Sequence, residues 1–150
     1  MAALALGACG GASSVEGSPS PAEAAYYERV GRVIEAFDGA FQPLRDPPAE
    51  GEAYIEAIDD AGSAIKRAGR FLDEGDPTPE ASAAHAGAAA DMRRFGADLR
   101  AIAREGPDDP DTYVALEETL TSDLLQRLNG HIARLDELRL RVQPDDFGAV

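Results

Sequence analysis

"LTSDLLQRLNGHIARLDELRLRV", residues 120–142, decides the fold. Leu120, Leu124, Leu128, His131, Leu135, Leu138 and Val142 recur in it at spacings of three and four, the repeat of one face of an α-helix. Polar and charged residues fill most of the positions between, so the segment has one face to bury and one for water. A helix of this kind draws its stability from packing, so partner helices are required.

Three upstream segments supply them. Ser20-Pro21-Ala22-Glu23 is a capping box with proline at the first helical position, and Tyr27, Val30, Ile34, Phe37 and Phe41 follow as a stripe until Pro43, Pro47 and Pro48. A second helix is expected from about Pro48 to Glu74, with Tyr54, Ile58, Ala61, Ile65, Ala68 and Leu72 on one face and Gly75 as its terminator. A third opens at Thr78-Pro79-Glu80 and carries Ala81, His85, Ala88, Met92, Phe95, Leu99 and Ile102 until Gly106-Pro107. Its first half, "ASAAHAGAAA", is almost all small residues, so a neighbour can approach closely there. The fourth follows Asp109-Pro110 and is expected to run unbroken to about Gln143.

Short loops between long helices force antiparallel neighbours, and no alternating Val/Ile/Thr run suggests a strand. The expected fold is therefore all-α, an up-down-up-down antiparallel four-helix bundle over residues 21–143. Residues 144–150 read as an acidic tail.

The chain has 28 Asp plus Glu against 14 Lys plus Arg, a formal net charge of −14. That balance repels phosphate backbones, so nucleic acid is not an expected partner.

The single cysteine lies in "LGACGGASS", residues 6–14. Leu6-Gly7-Ala8-Cys9 resembles the lipobox of bacterial lipoproteins, and the chain as a whole resembles the all-helical lipoproteins of GC-rich bacteria. The resemblance implies that Cys9 is diacylated, becomes the mature N-terminus, and anchors the protein to the extracytoplasmic face of the cell membrane. Residues 1–8 then read as part of a signal peptide. None of those eight residues is Lys or Arg, so the true start codon is expected upstream. Residues 9–20, rich in Gly, Ser and Pro, read as a tether whose r.m.s. span is about 20 Å.

The usual catalytic constellations are missing. The chain holds no G-x-S-x-G elbow, H-E-x-x-H pair, glycine-rich phosphate cradle or C-x-x-C. A di-iron centre needs Glu-x-x-His, but Ser82 precedes His85 by three and Leu128 precedes His131 by three. "PDDPD", residues 107–111, lacks the glycine and distal glutamate of a calcium loop and reads as a helix cap. Asp59-Asp60 and Glu117-Glu118 read as solvated faces.

The two histidines form the one layer that could hold a ligand. Counting outward from the turn near residue 107 brings His85 level with residues 129–131, and so with His131. The same count through the earlier loops adds Ala68 and the Tyr26-Tyr27 pair. Such a layer could bind a metal or haem through neutral imidazole, or each ring could be structural and bonded to a tyrosine hydroxyl or a backbone carbonyl. We expect no cofactor and no enzymatic activity. The leading expectation is an interaction module that binds another envelope protein, with a ligand-binding bundle using His85, His131, Tyr26 and Tyr27 as the alternative.

Overall fold

The computed structural model describes residues 18–46 and 51–143. It contains α1 (Pro21–Arg45), α2 (Glu52–Asp73), α3 (Ser82–Glu105), α4 (Pro110–Leu120) and α5 (Asp123–Val142), and no strand among the described residues. Packing closes into a ring in which α1 lies on α2, α2 on α3, α3 on α5 and α5 on α1, while α4 rests on α3 and α5. The architecture is the antiparallel four-helix bundle, with α4 and α5 in sequence as its last arm. No helix is long and apolar enough to cross a membrane among the described residues.

Local chemistry sets most of the boundaries. Ser20 Oγ accepts the Glu23 N–H at 3.1 Å, which caps the start of α1. Asp109 accepts the Asp111 N–H at 2.9 Å, so the acids of residues 107–111 do cap α4. Gly106 ends α3 at a φ of 85°, a left-handed conformation that glycine adopts without cost from a Cβ.

Three boundaries differ from expectation. Pro43 lies inside α1, which continues to Arg45; a proline in the last turn interrupts little of the helix ladder. Thr78 Oγ1 accepts the Ala81 N–H at 3.3 Å in a turn over residues 79–81, and regular helix starts only at Ser82. The expected start of α2 at Pro48 falls outside the described residues, and the helix is seen from Glu52.

The largest difference is the break at Thr121 and Ser122. Thr121 Oγ1 donates to the Glu117 carbonyl at 2.9 Å and Ser122 Oγ to the Thr119 carbonyl at 2.7 Å. Ser122 Oγ also accepts the Leu125 N–H at 3.3 Å, so hydroxyls satisfy the end of one helix and the start of the next. Beyond the break the buried positions of α5 are Leu125, Leu128, Leu135 and Leu138, with Leu124 half-buried.

The closest interhelix approach joins α2 to α3. A Cβ built on Gly96 would lie 2.5 Å from the Gly62 carbonyl oxygen, and one on Gly62 would lie 2.7 Å from the Gly96 carbonyl oxygen. Further along, a Cβ on Gly69 would lie 2.9 Å from Met92 Cβ and 3.1 Å from the Ala89 carbonyl oxygen. The backbones touch because side chains are missing on both sides, and Met92, Phe95 and Leu99 fill the space beside them, fully buried.

Candidate functional site

His85 stands in α3 and His131 in α5, and the two meet α3 on different sides. His85 lies on the α1 side, 6% exposed, with Nδ1 3.3 Å from the Tyr26 hydroxyl and ring centroids 5.8 Å apart. Tyr26 packs edge-on against Tyr27 at 5.0 Å, and the Tyr27 hydroxyl reaches Thr78 Oγ1 at 3.2 Å. The sequence reading therefore joins Tyr26, Tyr27 and His85 correctly, and Thr78 completes the network.

His131 belongs to another contact. Its ring rests on α3 at Gly87, where a Cβ would lie 2.4 Å from Nε2. Nε2 lies 3.9 Å from the Asp91 carboxylate, which also pairs with Arg127 at 3.6 Å. Gly87 is two residues beyond His85, so the two rings share a height but meet α3 on faces about 160° apart. The two imidazoles thus have separate partners.

Ala68 is not level with His85. The register that sets Gly62 against Gly96 and Gly69 against Ala89 carries Asp73, rather than Ala68, toward that height. The turn over residues 79–81 lengthens the α2–α3 connection and produces this shift.

Electrostatics follow from burial. Desolvation lowers the His85 pKa below its ordinary value; Asp73 opposes the shift and Arg29 adds to it. Burial pushes the Tyr26 phenol above its usual range, and neighbouring Tyr27 pushes it further. At neutral pH both are uncharged, and the network is a set of neutral hydrogen bonds. No buried side-chain nitrogen or oxygen lacks a partner among the described residues. No group of three or more His, Cys, Asp or Glu side chains is placed to hold a metal ion among them either. Cys9 lies outside the described residues.

A second feature is one the sequence reading missed. At the α4–α5 break a groove of about 310 Å³ opens between the end of α1 and the start of α5. Phe37, Phe41 and Leu44 form one wall, Leu120 and Leu125 the other, with Arg45 and Asn129 also lining it. The Ser/Thr cluster at residues 119–122 was the available signal, since hydroxyls that bond backbone carbonyls favour a helix end.

The fold and these contacts define an all-helical bundle with a buried polar layer and a groove at the α4–α5 break. Compared with protein-family models, with curated proteins and with solved structures, the chain matches none. Function must come from its own residues.

Proposed function

We propose that the chain is a lipid-anchored, extracytoplasmic helical bundle that works by binding, not by catalysis, and is displayed to another protein of the cell envelope. The observation that carries this reading is the spacing between Leu6-Gly7-Ala8-Cys9 and the Ser20 cap of α1. Residues 9–20 stand between the cysteine and the first helix, and their Gly, Ser and Pro content suits a spacer. The net charge of −14 supports it too, because an acidic bundle is repelled by anionic headgroups and stands away from them. The polar layer of Tyr26, Tyr27, Thr78 and His85 is consumed in internal hydrogen bonds and serves as part of the core.

Two acyl chains, each methylene contributing about 0.8 kcal/mol, hold a protein on a bilayer stably. The test is fractionation of cells expressing the chain behind a complete lipoprotein signal peptide, for wild type and Cys9→Ser. Wild type should sediment with membranes and the variant should be released. Equal partition of both into the soluble fraction would overturn the proposal.

A further inference from the structure

Charge along α2 is divided end from end. Residues 52–60 carry Glu52, Glu56, Asp59 and Asp60 and no base, whereas residues 61–72 carry Lys66, Arg67 and Arg70 and no acid. The helical repeat gathers Glu56, Asp60, Ser63, Arg67 and Arg70 into one stripe, on the side of α2 opposite its buried Ile58, Ile65 and Leu72. All but half-buried Ser63 are exposed.

The charges of this stripe have no partner within the chain. Asp59 and Asp73, turned toward α3, pair with Arg100 at 3.1 Å and Arg93 at 2.6 Å. Glu56, Asp60, Arg67 and Arg70 form no ion pair among the described residues. Asp60 and Arg67 stand two turns apart, about 10 Å along the axis, and cannot reach each other. The neighbours that do meet are alike: Glu56 with Asp60 at i,i+4 and Arg67 with Arg70 at i,i+3, pairings that destabilise an isolated helix. The helix dipole acts within the first and last turns, so it does not account for Asp60 and Arg67 in the middle of α2.

The surface beside the stripe admits a close neighbour. Two hollows of about 260 and 510 Å³ adjoin along the α1–α2 seam and share Ala64 and Arg67. Ala36, Gly39 and Ala40 of α1 and Ala57, Ala61 and Ala64 of α2 line them, with Asp60 at the larger one.

An antiparallel copy of the same stripe supplies what each charge lacks. A two-fold axis crossing α2 at Ser63 sets the acidic half of one helix against the basic half of the other, and a two-fold interface repeats every such contact. A parallel arrangement would set like charges together. In a chain of net charge −14 most faces of two copies repel, which leaves this register as the complementary approach.

We propose that the outer face of α2 docks on α2 of a second copy of this chain, antiparallel about Ser63, with Glu56 facing Arg70 and Asp60 facing Arg67 in both directions. The proposal goes beyond envelope display and does not depend on the anchor.

The test is sedimentation equilibrium of the full chain under reducing conditions, so that Cys9 cannot link two copies. At about 20 mM salt the chain should show a reversible monomer–dimer equilibrium that weakens by about tenfold or more at about 0.5 M salt. Asp60→Arg alone and Arg67→Asp alone should each weaken dimerisation by about tenfold or more with the melting transition retained, since both side chains are exposed. Asp60→Arg also makes the chain less acidic, so a general charge effect would strengthen its association instead. An equimolar mixture of the two single variants should form a mixed dimer, because every Asp60–Arg67 contact is then again between opposite charges. A wild-type chain that stays monomeric to about millimolar concentration at low salt would overturn the proposal. So would a dimer that both reversals leave unchanged, or single variants that fail to associate with each other.

Discussion

Tyr26 Oη and His85 Nδ1 lie 3.3 Å apart in the core, with neither residue more than 6% exposed. A buried imidazole resists protonation, so its pKa in the fold lies below that in the unfolded chain. Above the unfolded value both states are neutral and full stability is present. As pH falls below about 6.5, the unfolded chain takes up a proton that the fold refuses, and stability is lost until the lowered folded pKa is reached. Urea midpoints should therefore fall between about pH 7 and pH 5. The double variant Tyr26→Phe with His85→Leu, which removes the titrating ring without stranding the hydroxyl, should show a shallower decline. An equal slope in the two proteins would assign the acid sensitivity elsewhere.

Two glycines should respond to alanine with opposite signs. At Gly39, in α1, an added Cβ meets nothing within 4 Å, so Gly39→Ala should stabilise by about 0.5–1 kcal/mol through helix propensity. At Gly96 the same methyl would lie 2.5 Å from the Gly62 carbonyl oxygen and 2.9 Å from the Lys66 backbone nitrogen. Backbone cannot swing aside as a side chain can, so Gly96→Ala should cost about 1–3 kcal/mol. Denaturant melts that rank the two in the other order would contradict the close α2–α3 contact.

The leucines of α5 should not be equivalent. Leu128 and Leu135 are 0% and 2% exposed, and truncation of either to Ala should cost about 2–5 kcal/mol. Leu124 is half-buried and should cost less, while exposed Glu35 should tolerate Ala within about 0.5 kcal/mol. Equal losses at Leu124 and Leu128 would mean that α5 is rotated from the orientation described.

These differences show where the sequence was legible. The three-four stripes revealed the arms of the bundle because burial on one helix face leaves a periodic record, and Ser20 and Asp109 marked helix starts through their side-chain oxygens. The break at Thr121-Ser122 was hidden because Leu116, Leu120, Leu124 and Leu128 keep a spacing of four straight through it. Periodicity sees side chains, whereas the break is made by hydroxyls on backbone carbonyls. In the histidine layer the height was readable, because rise per residue is fixed. The azimuth was not: His131 settles on Gly87, where a missing side chain leaves space, and so faces away from His85. The groove followed from the break, and so escaped notice with it.

The central claim, that Cys9 anchors this bundle, is tested most directly by the intact mass of the mature protein purified from membranes after expression behind a complete lipoprotein signal peptide. The account expects a chain that begins at Cys9 and carries a diacylglyceryl group on the sulfur, with that added mass absent from Cys9→Ser. A mature chain that retains residues 1–8 and an unmodified Cys9 would contradict it.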